Sequence, residues 1–392
     1  MVLFLCYNKL KFENKHLFGG DIILNEAQQK ILDLLREDPY LSQQEIANKV
    51  GLSRPSIANH ISQLIDIGYI VGKAYVLSEP KEDLIICIGA SNIDQKYTAY
   101  QDIVFETSNP VSGSTSIGGV IRNIAENLGR LNQSVSLISL VGDDIGGQHL
   151  VDEMKSLVNT DQIEKISNQN TGTYTAILNP NGDLVCGLAD MEICQLMTKE
   201  WVAKYEKYLS QAKMIIVDTN VQADCIDYLI QFCQTHQLPL FIVGVSTIKM
   251  SHLPKHQLQI ECGIFNLDEA QTYFNSKASP KTLVKKWLEI GLKHVIITQG
   301  TKDVVYGHQE SITSIPIYKT ENVVDVTGAG DSFIAGLIYG LNQNKDYISS
   351  IHYGLVNSHH TVLSTDSVRT NLSSQSLEKE MEHYKNESIS RN

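Results

Sequence analysis

Val323-Val324-Asp325-Val326-Thr327-Gly328-Ala329-Gly330-Asp331-Ser332-Phe333-Ile334-Ala335 is the stretch on which the reading of this chain turns. β-Branched residues lead into a glycine-rich turn, and Phe333, Leu337 and Leu341 follow with the spacing of an amphipathic helix. Free amides at a helix N-terminus form an anion site, and the helix dipole favours negative charge there. Gly328, Ala329 and Gly330 have little or no side chain, so a phosphate can approach their backbone N–H groups closely. Asp331 follows at once. A carboxylate beside a phosphate cradle makes poor sense as a second anion binder. It makes sense as a base that takes the proton of an alcohol attacking a phosphoryl group. The plainer reading is a glycine turn with Asp331 as a helix cap, and the rest of the chain decides between the two.

The chain has 392 residues, 42% hydrophobic and 19% charged, enough for a large globular domain and a small one. Its net charge of −12 argues against a protein that coats nucleic acid or lies on an anionic membrane. Cys6, Cys87, Cys186, Cys194, Cys225, Cys233 and Cys262 show no C-x-x-C spacing, and several sit in apolar runs. They read as reduced core thiols of a cytoplasmic protein. No apolar window is long enough for a membrane span. Residues 1–24 read as an N-terminal extension, and the polar tail after Asn371 as a frayed end.

Residues 25–78 form a small α+β unit in this reading. Ala27, Ile31, Leu34 and Leu35 have helical spacing; Ser42 and Glu45 make a capping box for a second helix that Gly51 ends. Ser53 caps a third helix bearing Ile57, Ile61, Leu64 and Ile67, and residues 68–77 read as a hairpin. This pattern resembles a winged helix-turn-helix, whose third helix would offer Arg54, Ser56, Asn59 and His60, with Ser53 and Gln63, to duplex DNA. Five basic residues against seven acidic ones leave residues 25–80 at −2, a weak footprint for a duplex binder and one that also suits an interaction module.

After the charged linker at 78–83, apolar runs at Leu84–Ile88, Ser134–Val141, Lys213–Asp218, Leu238–Val243 and His294–Thr298 alternate with helical patterns. The helices are expected near 120–131, 144–157, 198–211, 222–236, 280–290 and 330–342. Such alternation predicts an α/β domain over 84–370, a parallel sheet with helices on both faces and ligands at the carboxyl ends of its strands. Residues 97–117 and 171–189, rich in Thr, Ser and Tyr and with Asn181-Gly182 as a hairpin turn, break the alternation and predict a small β lid.

Gly89-Ala90-Ser91-Asn92-Ile93-Asp94 leaves the first strand of this domain, where an amide and a carboxylate can hold vicinal hydroxyls. Gly118-Gly119-Val120-Ile121-Arg122-Asn123-Ile124-Ala125 then enters a helix with Asn123 in its first turn. With the G-A-G-D run, these pieces resemble, in the right order, the ribokinase (PfkB) family of sugar and nucleoside kinases, whose signature is D-T-x-G-A-G-D. The resemblance spans about residues 84–365 and implies a ribokinase-like sandwich. It makes Gly328, Ala329 and Gly330 the anion hole and Asp331 the catalytic base. Asp94, Gly119 and Asn123, with Asn92, fall where relatives hold sugar hydroxyls. Asn266 and Glu269 match an N-x-x-E that organises Mg²⁺ through waters, and Thr298 and Gly300 match the start of the ATP-side T-x-G. Asp325 and Thr327 flank the loop where relatives bind a monovalent cation such as K⁺.

Within the family the likeness runs to the branch acting on pseudouridine, through Ser108-Asn109-Pro110, the G-G-V-x-R-N-I-A-E-N-L run, Thr171 with Tyr174, and Asp190-Met191. It makes Thr171 and Tyr174 substrate contacts. A winged helix-turn-helix ahead of such a kinase is an arrangement this branch resembles, and lid strands that pair between subunits in relatives imply a homodimer. Three positions depart from the family: Ile121 for Gly, expected to crowd the sugar pocket; Gly244 for the Asp of an Asp-Pro pair; and Asp303 for the second Gly of the nucleotide motif. The expected activity is MgATP-dependent phosphorylation of the 5′-hydroxyl of a ribosyl nucleoside. The competing expectations are a regulator whose kinase-like domain only senses its ligand, and a kinase of ribose or fructose.

Overall fold

The computed structural model describes residues 24–66, 69–70, 83–255, 258–320 and 322–390. The chain divides between Pro80 and Lys81 into two compact units. The first holds α1 (Glu26–Glu37), α2 (Gln43–Val50) and α3 (Arg54–Asp66) around a core that includes Ile31, Leu35, Ile46, Ile57, Ile61 and Leu64. The expected box at α2 is present: the Ser42 N–H donates to Glu45 Oε2 at 2.8 Å and the Glu45 N–H to Ser42 Oγ at 3.3 Å. Gly51 ends α2 in the left-handed region at φ 78°. A second box, Asn25 with Gln28, caps α1. Of the expected hairpin at 68–77 only Tyr69 and Ile70 are described, and the extension at the N-terminus and most of the linker also lie outside the described residues.

The second unit opens with β1 (Ile85–Ile88), β2 (Asn92–Ala99), β3 (Val111–Gly118), α4 (Val120–Arg130), β4 (Val135–Gly142), α5 (Ile145–Met154) and β5 (Ile163–Ile166). Then come β6 (Gly172–Leu178), β7 (Leu184–Asp190), α6 (Lys199–Ala203), α7 (Glu206–Leu209), β8 (Met214–Asp218), α8 (Ala223–His236) and β9 (Leu240–Val243). It continues with β10 (Ile260–Asn266), α9 (Leu267–Tyr273), α10 (Pro280–Glu289), β11 (Leu292–Gln299), β12 (Lys302–His308) and β13 (Ser311–Ile315), and ends with α11 (Ala329–Asn342), α12 (Tyr347–Thr361) and α13 (Ser374–Ser390).

Nine strands form the main sheet in the order β13-β12-β11-β10-β9-β8-β1-β4-β5. Those from β11 to β5 run parallel, as the alternation predicts, and β12 and β13 add an antiparallel edge that it does not. Residues alternate between two cores. Ile86 and Ile88 face α8 and α10, whereas Ile85 and Cys87 face α4, α11 and α12. Five of the six described cysteines are buried; Cys186, on β7, is exposed.

The lid is a separate sheet in the order β3-β2-β6-β7. Only Gly89, Ala90 and Ser91 separate β1 from β2, so the lid grows directly out of the main sheet. The β6–β7 turn is a loop of 179–183 and not a two-residue hairpin: the Asn179 side chain accepts from the N–H groups of Asn181 and Asp183, both at 2.9 Å. Among the described residues no helix is long and apolar enough to cross a membrane.

The tail after Asn371 is docked, contrary to the expectation of a frayed end. Leu377 and Met381 of α13 are buried in the core over α11 and α12. Glu378 accepts from Tyr339 Oη at 3.1 Å and Tyr353 Oη at 2.7 Å, and Arg369 grips Glu380 with two hydrogen bonds of 2.7 Å. The tail is polar because only one stripe of the helix is covered. Leu377→Ala should therefore cost about 2–5 kcal/mol, the usual range for a buried Leu, whereas the exposed Lys379→Ala should stay within about 0.5 kcal/mol. Urea unfolding of both variants checks this; equal, negligible shifts would restore the frayed tail.

Candidate active site

β1 has β8 on one side and β4 on the other, and the chain leaves it toward the β4 edge before returning to build β8. This reversal opens a crevice beyond the carboxyl ends of β1 and β8, the usual ligand position in such sheets. Asp94, Gly119, Asn123 and Asp331 all reach it. The Asn123 side-chain N–H donates to Asp331 Oδ2 at 2.7 Å, joining residues 208 positions apart. The Asn92 side-chain N–H donates to Asp94 Oδ1 at 2.6 Å. A Cβ at Gly118 would collide with the Asp94 carboxylate, so that glycine gives it room. Gly119 begins α4 at φ 105° without a side-chain cap.

Asp331 stands in the first turn of α11, partly buried. Burial raises its pKa to about 7, with Asp218 and Asp94 adding to the rise, while the Asn123 hydrogen bond and the Arg122 charge pull it down. Gly328 precedes the helix at φ 77°, and a Cβ there would strike the Ser367 carbonyl. A Cβ at Gly330 would meet nothing within 4 Å, in keeping with its place on the wall of a cavity. The Ala329 amide donates to the Val326 carbonyl at 3.2 Å and closes the turn. Ala329, Gly330 and Phe333 line one side of a largely apolar cavity of about 520 Å³, which Thr298, Gly300 and Val304 also line. The glycine turn thus borders this cavity, while Asp331 meets Asn123 of the first crevice.

The neighbouring side chains sort by what they touch. Asn266 and Glu269 form a reciprocal capping box for α9, with Glu269 only 2% exposed and its pKa raised by burial. Asn266 pairs in register with Thr298 across β10 and β11. Among the described residues no three acidic, His or Cys side chains cluster as metal ligands. The pair offers amide and carboxylate oxygens, the donor type that meets a divalent ion through its waters. Thr171 is buried, donating its hydroxyl to Asp144 Oδ1 at 2.7 Å and accepting from the Gly142 N–H at 3.0 Å. Its side chain fixes the end of β4 to the start of α5. Tyr174 lies on β6 beside Asp94 in register and is 39% exposed.

Asp325 Oδ1 accepts from the Thr327 N–H at 2.9 Å and hydroxyl at 2.7 Å, and Asp325 Oδ2 from Lys96 Nζ at 2.8 Å. Partial burial would raise the Asp325 pKa, but Lys96 and Thr327 bring it below the usual value.

One of the three departures resolves differently from its expected effect. Ile121 does not crowd the sugar side; it is fully buried in the core over Ile85 and Cys87. Gly244 lies against Glu269, which a Cβ would strike. Asp303 is exposed, and it is its backbone carbonyl that accepts from the Gln299 side chain at 2.7 Å.

The motifs overlooked two charges at the crevice. Asp218 is fully buried at the end of β8 and accepts from the Asn220 N–H at 2.9 Å and side-chain amide at 3.1 Å. Burial raises its pKa to about 6, against hydrogen bonds from Asn220 and from the Ala90 and Ile121 amides. Its sequence signal is an apolar run, M-I-I-V, ending in Asp. Arg122, 1% exposed, pairs with Glu126 and donates to the Ile117 carbonyl at 3.2 Å. In the N-terminal unit Arg54 and Asn59 are exposed on α3, while Ser56 and His60 are half-buried; Gln63 accepts from the Gln28 side chain at 3.0 Å.

The family model of the pfkB family carbohydrate kinases matches residues 82–371, and that of the winged helix-turn-helix DNA-binding domains matches residues 24–71. The chain is 32% identical over 264 residues to the pseudouridine kinase of Escherichia coli K12, covering 66% of this chain and 83% of that one. It is 27% identical over 337 residues to the uncharacterized sugar kinase YeiI of the same organism, covering 85% and 92%. Among solved structures, a putative sugar kinase from Clostridium perfringens superposes with a TM-score of 0.67 at 25% identity, over 77% of this chain and 96% of that one. Arabidopsis thaliana ribokinase, complexed with ribose and ATP, shares the fold with a TM-score of 0.65 at 17% identity, over 76% and 98%. The fold that brings Asn123 to Asp331 across 208 positions is shared with these kinases, and the chain belongs to the pfkB family of carbohydrate kinases, with a winged helix-turn-helix unit ahead of the kinase domain.

Proposed function

We propose that this protein is an ATP-dependent kinase that phosphorylates the 5′-hydroxyl of a ribosyl nucleoside, with pseudouridine as its substrate. The observation that carries the reading is the junction at Asp331, which has an open anion turn on one side and Asn123 with Asp94 on the other. Asn92, Asp94 and Gly119 bind the ribose from the root of the lid, and Tyr174 meets the base from β6. Thr171 acts indirectly, by fixing β4 to α5. Thr298, Gly300 and the apolar cavity hold the adenosine end of ATP. Asp331 takes the proton of the 5′-hydroxyl as its oxygen bonds the γ-phosphorus. The bond from that phosphorus to the β–γ bridging oxygen breaks, and ADP leaves. The Gly328 and Gly330 amides and the α11 dipole stabilise the charge on the transferred group, while the Ala329 amide, bonded to the Val326 carbonyl, holds the turn in shape. When bound, Mg²⁺ neutralises the phosphate oxygens, and Asn266 and Glu269 order its waters.

Two further parts belong to this reading. β7 is exposed along its whole length, with Leu188 at 55%, and an apolar edge of this kind suits pairing with a second copy in a homodimer. The N-terminal unit binds duplex DNA through Arg54, Ser56, Asn59 and His60 of α3, supported by its family match.

Asp331→Asn should lower kcat by roughly 10²–10⁴, the usual worth of a general base, with little change in the KM for ATP. Only the ionised carboxylate accepts the proton, so kcat/KM of the wild type should rise with pH and level off above about 7. Asn123→Ala removes an interaction that lowers this pKa, so its plateau should begin at higher pH. A flat profile from about one unit below that pKa to about one unit above it would remove Asp331 from the role.

Pseudouridine should exceed ribose and fructose in kcat/KM, because a lid built for a base leaves polar groups unpaired when the base is absent. A coupled assay of ADP release compares them directly, and better use of either sugar would move the enzyme to the general sugar kinases. In anisotropy titrations against DNA from the protein's own upstream region, affinity should fall with salt by a log–log slope of about two to four, given so few cations, and Arg54→Ala should weaken it. Weak binding of any sequence, unchanged by that substitution, would mark the unit as an interaction module.

A further inference from the structure

Lys96 and Asp325 are 229 positions apart, one on lid strand β2 and the other on the approach to the glycine turn. Lys96 lies two residues beyond Asp94, so both side chains leave the same face of β2. One strand thus brings a substrate-side carboxylate and an ammonium to the site together. At the other end, Asp325 Oδ1 is taken by Thr327, which sets the chain immediately before Gly328, and Oδ2 is taken by Lys96. Both oxygens are engaged, and Oδ2 faces the unit positive charge of the Lys96 ammonium. The resemblance to relatives implies a free monovalent cation beside this carboxylate. The residues present do not fit that ion: it would have to displace an ammonium tethered in the same chain.

We propose that Lys96 is a positioning residue that supplies the counter-charge to Asp325, so that the glycine turn takes its working shape when the lid brings Lys96 in and needs no free monovalent cation. This rests on the kinase reading above and adds a coupling to it. Lid position sets the charge on Asp325, Asp325 orients Thr327, and Thr327 leads into the amides that meet the transferred group. Lys96 touches neither the hydroxyl nor the phosphoryl group in this arrangement, so its loss should act on kcat more than on the KM of either substrate.

The test uses the full chain and the variants Lys96→Met and Lys96→Arg, assayed with MgATP and pseudouridine in KCl or in choline chloride of equal ionic strength. The wild type should change less than about twofold between the salts. Lys96→Met should lose roughly tenfold or more of kcat in choline chloride, the scale of a lost charge-assisted hydrogen bond. KCl should restore part of that loss, and Lys96→Arg should keep most of the activity. Thermal melts give a second reading independent of turnover: KCl should raise the Tm of Lys96→Met relative to choline chloride and leave the wild type unmoved. Severalfold activation of the wild type by KCl overturns the proposal, as does a Lys96→Met loss that KCl does not restore. A wild type inactive on every nucleoside and sugar would sink the kinase reading instead, and the melts alone would then decide for or against Lys96 as the counter-charge.

Discussion

The constraint on which the site depends is the crowding of carboxylates at the ends of β1 and β8. Asp331, Asp218 and Asp94 each feel burial, and Asp331 also feels the other two. Left alone, such a group would stay protonated and could not act as a base. The chain answers with an amide from Asn123, a buried guanidinium at Arg122 and backbone N–H groups drawn toward Asp218. Arg122 is in turn held by Glu126, which Arg130 also grips at 2.8 Å, and Arg130 reaches the Thr370 carbonyl at 3.1 Å. The charge balance around Asp331, the proposed base, is thus anchored as far away as the segment leading into α13. The outcome is a carboxylate poised near neutrality, where a base is most effective.

Much of this was legible in the sequence because the decisive signals are local. The glycine turn, the helix after it, the Ser42–Glu45 box and the short apolar strands each fit within a dozen or so residues, the range over which periodicity and capping operate. What stayed hidden depends on distance. Nothing near Lys96 announces a partner at Asp325, and nothing in I-E-K-I or I-E-C-G-I-F-N separates a strand from a loop until the neighbouring strands are in place. The helix after Asn371 does not declare itself in the sequence because its apolar stripe is thin and its polar face long. Ile121 differs for a similar reason, since its place in the motif points to the pocket while its position on the helix sends it to the core.

The acidic N-terminal unit and the kinase domain make opposite use of charge. In the first, the described cations Lys30, Arg36, Lys49 and Arg54 stand exposed. In the second, charges are buried and paired, where each is worth far more than at the surface.

The lid leaves the main sheet through only Gly89, Ala90 and Ser91 and returns through Gly118 and Gly119. The residues proposed to act in the chemistry therefore sit at its root, with the strands above left to whatever extends beyond the proposed ribose. This division separates two kinds of evolutionary change. On the proposed nucleoside-kinase reading, substitutions along β3, β6 and β7 retune which base is accepted without disturbing proton transfer, whereas substitutions at the root alter turnover for every acceptor at once. A scaffold wired in this way can change clientele by small steps, keeping a working reaction at each one.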